Sequence, residues 1–217
     1  MQKRVFNILV EGGLAVENLD VYARAGALTA YVITLQVIVT DQIVTIQFVP
    51  VVDDPFISAI EVIEIPNITT PIAFPSASPV LIPNRSSPVA TSTAVVRLNA
   101  GGETFVDNEG NTWSNDTYFQ GNSFIGDQAC KKNIGNTIDD ALFCTERYFN
   151  KGNSTIPSLY EIPVNGDAVY QIRLYFTENV SKIVVRCFFH PVFSYNIYLS
   201  PHLVFQQIRQ ATLRRGS

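Results

Sequence analysis

Apolar positions recur in twos over residues 3–65, where no stretch keeps a 3.6-residue period over three turns. Residues 3–11, KRVFNILVE, carry β-prone Val5, Ile8 and Val10 and stop at Gly12-Gly13, so they read as a strand. The next stretch, LAVENLDVYARAG, is polar enough to be a connection. Tyr31 to Val39 is rich in β-branched residues, Asp41-Gln42 marks a turn, and Ile43 to Val49 alternates again. In the second run Val44, Ile46 and Phe48 share one face. Two such runs around a short turn predict a hairpin. Asp53-Asp54-Pro55 punctuates, and ISAIEVIEI (57–65) is a further strand.

Residues 66–93 change character. Six prolines among many Ser and Thr leave no room for a regular element, so this segment reads as an extended linker. Strand signals resume at AVVRLNAGG (94–102). The segment ETFVDNEGNTWSNDTYFQGNSFIGD is loop-like, with Asp107, Gly110, Asn111 and Gly121 as turn formers. DDALFCTERYF (139–149) holds a short strand, and YEIPV (160–164) and AVYQIRLYFTE (168–178) flank the turn Asn165-Gly166-Asp167. Many short strands, polar turns and almost no helix predict an all-β antiparallel sandwich. Residues 181–217 form an atypical tail with aromatics and a basic end. Its apolar stretch 183–205 is long enough for a membrane span, but Arg186, His190 and Pro191 inside it argue against one. The opening MQKRVFNILVEG lacks the long apolar run and small-residue cleavage site of a signal peptide.

Composition narrows the function. Fifteen Lys+Arg against nineteen Asp+Glu give a net charge of −4, which argues against nucleic acid as a partner. The cysteines Cys130, Cys144 and Cys187 fit no zinc spacing. Cys130–Cys144 is the one easy disulfide, and buried free thiols are the other reading. Only two histidines occur, and no nucleophile elbow, phosphate loop or dinucleotide fingerprint, so catalysis, metal and cofactor are not expected. The doublets Asp53-Asp54 and Asp139-Asp140 read as turn and cap residues, because neighbours in a strand face opposite ways. Binding is better supported. Between 105 and 149 Phe105, Trp113, Tyr118, Phe119, Phe124 and Tyr148 are interleaved with Asp, Asn and Gly. Sugar C–H faces stack on such rings while carboxylates and amides take the hydroxyls. Trp113 fits a core anchor better than a platform.

A resemblance then becomes specific. RLNAGG (97–102), VDNEGNTWSND (106–116), NTIDDALFCTERY (136–148), YEIPV and YQIRLYFTE together resemble the first half of a malectin domain. Residues 3–63, with RVFN, the N-x-D-V and A-G elements and D-x-P-x-I-x-A-I-E-V, resemble the second half. The halves stand in reverse order. The resemblance therefore implies a malectin-type, jelly-roll-like β-sandwich divided into residues 1–65, a linker 66–93, residues 94–180 and the tail 181–217, which is not family-like. Two accounts fit: a cut through tandem malectin domains, or a circular permutant in which the halves complete each other.

The resemblance also implies a non-catalytic carbohydrate-binding module, a fragment of a larger secretory-pathway or cell-surface protein, with an oligosaccharide or glycan as partner and neighbouring malectin domains in the parent. Endoplasmic-reticulum lumen or the extracellular space is the implied location. Its site would use Tyr148 of the TERY element, Asp53 with Asp54 as the alternate, and Phe124 in place of a family tyrosine. The family's aromatic pair falls at Val180-Ser181, where both rings are missing. That loss keeps a second reading open, a structural or protein-binding spacer with an eroded sugar site. Five Asn-x-Ser/Thr sequons, at Asn67, Asn84, Asn115, Asn153 and Asn179, exceed the roughly two expected by chance and fit a secretory parent.

Overall fold

The computed structural model describes residues 4–65, 94–127, 133–149 and 156–178, together with the backbone of two short strands in the tail. The linker 66–93 lies outside the described residues. The strands are β1 (Val5–Val10), β2 (Gly13–Leu19), β3 (Ala30–Val39), β4 (Ile43–Val52), β5 (Phe56–Ile57), β6 (Ala59–Glu64) and β7 (Ala94–Asn99). They continue with β8 (Phe105–Val106), β9 (Thr112–Trp113), β10 (Phe119–Gln120), β11 (Ser123–Asp127), β12 (Thr145–Phe149), β13 (Leu159–Pro163) and β14 (Ala168–Thr177). One short helix, α1 (Val21–Ala25), is capped by the Asp20 carboxylate accepting from Ala23 N at 2.8 Å.

Residues 2–178 form one compact unit. A five-stranded sheet, ordered β10-β13-β4-β1-β2, faces a four-stranded sheet, ordered β3-β14-β6-β7. The fold is an all-β antiparallel sandwich. Alternation along each strand produces it. Phe6 and Ile8 of β1, Val44, Ile46 and Phe48 of β4, and Tyr160 and Ile162 of β13 turn inward from one sheet. Ile172, Leu174 and Phe176 of β14 with Ile60 and Val62 of β6 meet them from the other. Phe6 packs against Phe176 across the gap, with ring centroids 6.1 Å apart. Each such ring contributes about 1.5–3 kcal/mol on burial. A three-stranded sheet, β11-β12-β5, adds Phe56 and Phe149 to the same core. A smaller core on Trp113, Leu142 and Phe143 packs against Tyr175 of β14.

The two chain segments are interleaved. Strand β14 of the second lies between β3 and β6 of the first, and β4 of the first lies between β1 and β13. Strands β6 and β7, which border the linker, are antiparallel neighbours with Ile63 opposite Ala94. Tail residues 179–217 belong to a separate unit, in which β15 (Ile183–Val184) pairs antiparallel with β16 (Tyr198–Leu199).

Four sequence expectations need correction. Strands β3 and β4 do not form a hairpin, because β3 pairs with β14 and β4 with β1 and β13. The same holds for β13 and β14 around Asn165-Gly166-Asp167. Both connections are arches that carry the chain from one sheet to the other. They pack together, with Val164 N donating to Gln42 O at 2.9 Å. The stretch after Gly12, read as a connection, is strand β2 followed by α1. Its buried positions are sparse because β2 is an edge strand with much of its length exposed. The loop-like segment 103–127 contains four short strands, and Asp107, Gly110 and Gly121 sit in its turns.

Candidate functional site

The motifs between residues 97 and 148 hold a set of turns and short strands together. In RLNAGG, Gly101 adopts φ 73°, and a Cβ there would stand 2.6 Å from the Glu146 carbonyl oxygen. Only glycine fits that turn against β12. The Asn99 side chain donates to Glu103 O at 2.8 Å and accepts from the Thr145 hydroxyl at 3.2 Å, which ties the turn to the TERY strand. In VDNEGNTW, the Asp107 carboxylate accepts from Glu109 N, Asn111 N, the Asn111 amide and Trp113 Nε1, all within 3.0 Å. Partial burial raises the Asp107 pKa, but these four hydrogen bonds, the Trp113 indole first, outweigh it and hold the carboxyl below its usual 3.8.

The TERY strand divides its side chains between two networks. Arg147 pairs with Asp116, donates to Ser123 Oγ at 2.9 Å and lays its guanidinium 3.4 Å from the Phe119 ring centroid. Asp116 also accepts from Gly101 N at 2.6 Å and from the Tyr160 hydroxyl at 2.9 Å. Burial, then the Asp116 carboxylate beside it, pushes the Tyr160 phenol well above its usual range. This buried hub fixes the loop between β9 and β10. On the other network, the Tyr148 hydroxyl donates to Glu146, and its ring stacks on Phe124 at 5.2 Å and 16°. Arg4 donates to the Tyr148 hydroxyl at 3.4 Å and stands 4.7 Å from the centroids of both Tyr148 and Phe56.

Strand register explains why these side chains meet. Tyr148 lies directly opposite Phe124 of β11 on one side and opposite Phe56 of β5 on the other. Gly126 faces the same ring, and a Cβ there would overlap it. Tyr148 is buried at 5% exposure, whereas Phe124 covers it with 46% of its own surface open. Asp53 and Asp54 lie in the turn that enters β5, two to three residues before Phe56. Asp53 is exposed at φ 63° and caps its own turn by accepting from Asp54 N at 2.9 Å. Asp139 accepts from Asn108 N and Asp140 from Ile134 N, so that doublet is structural. Trp113 is buried against Phe105 and Tyr175.

Sequence reasoning missed Arg4 and Phe56. Arg4 is the first residue of the family-like RVFN motif, but nothing in the motif's spacing shows that it returns to β12. Cys144 is disulfide-bonded with its partner outside the described residues, so it is not a free thiol. Asn115 is exposed, and the sequons at Asn67, Asn84, Asn153 and Asn179 lie outside the described residues. Among the described residues no cluster of His, Cys, Asp and Glu is placed to hold a metal ion, and no helix is long and apolar enough to cross a membrane.

Facing antiparallel sheets joined by short loops define a class, that of β-sandwich modules. The chain belongs to the malectin domain family, whose model matches residues 1–60 and 94–209. The matched span runs past Glu178 through most of the tail that its sequence sets apart. No curated protein and no solved structure matches the chain.

Proposed function

We propose that this chain is a non-catalytic glycan-binding module of a larger secretory-pathway or cell-surface protein, with its sugar site at the Phe124–Tyr148 stack. The observation that carries the reading is Phe124, an exposed ring held flat on a buried tyrosine. Tyr148 sets the height and tilt of Phe124, and the open face of Phe124 is the platform for a pyranose C–H face. The turn Asp53-Asp54 leads into the strand beside Tyr148 and supplies carboxylate acceptors for sugar hydroxyls. The disulfide at Cys144 fits an oxidising compartment, lumenal or extracellular.

Titration with glucose oligosaccharides tests this. Phe124→Ala removes an exposed ring and is expected to leave the melting temperature within a few degrees while lowering affinity at least tenfold. Unchanged affinity would remove the site. The spacer reading is favoured by one observation, the burial of Tyr148. Absence of binding to any neutral or charged glycan by the wild-type chain would select it.

A further inference from the structure

A cleft lies on β7, and neither Phe124 nor Tyr148 lines it. Arg97, one of its lining residues, ends a row of side chains across the outer face of the four-stranded sheet. Arg173 of β14, Glu61 of β6 and Arg97 of β7 stand opposite one another in register. Glu61 is 4% exposed, and its carboxylate accepts from Arg97 Nε at 2.8 Å, Arg173 Nη1 at 3.1 Å and the Tyr175 hydroxyl at 3.1 Å. Burial and the neighbouring Glu61 keep the Tyr175 phenol protonated, so it donates and carries no charge. Two guanidinium groups therefore share one carboxylate, and the row keeps one excess positive charge. No other ion pair to Arg97 or Arg173 occurs among the described residues.

Arg97 spends its Nε on Glu61, and its terminal nitrogens make no hydrogen bond among the described residues. Beside it opens a cleft of about 300 Å³ lined by Arg97, Thr112, Ser114, Thr117 and Tyr118 as its polar and aromatic groups. That volume is at the small end of ligand pockets and suits one or two sugar rings. The floor is rigid. Ser114 N donates to Arg97 O, and Asn99 N donates to Ser114 O, both at 2.9 Å. Tyr118 is 47% exposed, at φ 65°, and its carbonyl accepts from Glu161 N at 2.9 Å. The hydroxyls of Thr112, Ser114 and Thr117 have no hydrogen-bond partner among the described residues.

We infer that this cleft binds a saccharide bearing a carboxylate, a uronic acid unit. The Arg97 fork takes the planar carboxylate through its two terminal nitrogens. The three hydroxyls exchange hydrogen bonds with the ring hydroxyls, and Tyr118 offers its ring to the C–H face. A neutral sugar leaves the excess charge unanswered, and an inorganic anion leaves the hydroxyls and the ring unused.

Calorimetry on the full chain, produced without N-glycans because exposed Asn115 adjoins the cleft, decides the matter. The probes are a glucuronic-acid-containing disaccharide and its neutral glucose counterpart. The acidic probe is expected to bind at least tenfold tighter, and to weaken several-fold between 50 and 500 mM salt, concentrations across which screening of an exposed pair grows strongly. Tyr118→Ala is expected to lower its affinity about tenfold with an unchanged melting temperature. Arg97→Lys keeps the charge but loses the fork and is expected to cost several-fold. Phe124→Ala is expected to leave the acidic probe within about twofold, which separates this cleft from the proposed neutral-sugar site. Equal affinity for the two probes overturns the inference, as does no binding of the acidic probe, an unaltered Tyr118→Ala, or a loss confined to Phe124→Ala.

Discussion

Arg4 Nη2 lies 3.4 Å from Glu178 Oε1, and both side chains are about nine-tenths buried. Arg4 immediately precedes β1, and Glu178 immediately follows β14. The beginning of the first segment therefore touches the end of the second. At the other junction β6 and β7 are already paired strands. The chain thus has two closures, one made by covalent linker and one by an ion pair. A domain written in the opposite order needs only to exchange them.

That exchange is the first prediction. A chain running 94–178, a short Gly/Ser connector, then 4–65 is expected to give the same far-UV spectrum and one cooperative thermal transition. The connector spans a gap already closed by side-chain contact. Doubling a loop's length changes closure entropy by only about 0.6 kcal/mol, so stability is expected to stay within about 2 kcal/mol. A non-cooperative melt would show that the halves depend on their present order.

The ion pair itself is expected to couple. Arg4 also lies over Phe56 and Tyr148, so Arg4→Met loses cation–π contact as well as charge. A double-mutant cycle with Glu178→Gln isolates the pair. Residues in direct contact at a buried site couple by about 0.5–3 kcal/mol. Urea denaturation of the four proteins measures this, and additivity within about 0.3 kcal/mol would leave the contact without energetic weight.

Gly126 offers a test that joins packing to the proposed binding. It lies opposite Glu146 on β12, and a Cβ at this position would overlap the Tyr148 ring. Gly126→Ala must push Tyr148 aside or bow β11 away from β12. Overpacking of this kind costs about 1–3 kcal/mol. Because Phe124 stacks on the displaced ring, sugar affinity is expected to fall with stability. A variant that melts lower yet binds glucose oligosaccharides normally would disconnect Tyr148 from the site.

Strand faces were more legible than strand partners. Val44, Ile46 and Phe48 alternate in the sequence and all point into the core. The same alternation fits a hairpin or an arch, because either brings two apolar faces into contact with something. What separates them is the partner, β14 for β3 and β1 with β13 for β4, and each partner lies far away along the chain. The proposed site shows the same division. Tyr148 and Phe124 are named by their motif and loop, whereas Arg4 and Phe56 become neighbours of Tyr148 only through register across three strands. Strands β8, β9 and β10 escaped because two-residue ladders carry no period. Their turns are held by side chains such as Asp107 rather than by alternation.

Asp107 gives the chain an acid-sensitive turn with an optical reporter. Trp113 is the single tryptophan, and its indole donates to Asp107 at 2.9 Å. The folded carboxyl titrates below its usual 3.8 because its four hydrogen bonds favour the charged form. The unfolded chain, with an ordinary aspartate near 3.9, binds the proton first. This contribution to stability is therefore fully present above about pH 4 and is lost as pH falls through the lower folded value. Asp107→Asn keeps one acceptor oxygen and removes the charge. It is expected to melt several degrees lower than wild type at pH 7, with its Trp113 emission shifted toward the red. The gap is expected to narrow as pH falls below about 3.9, where wild type loses the same charge. A difference that stays constant from pH 7 to pH 2.5 would assign the loss to shape rather than to the carboxylate.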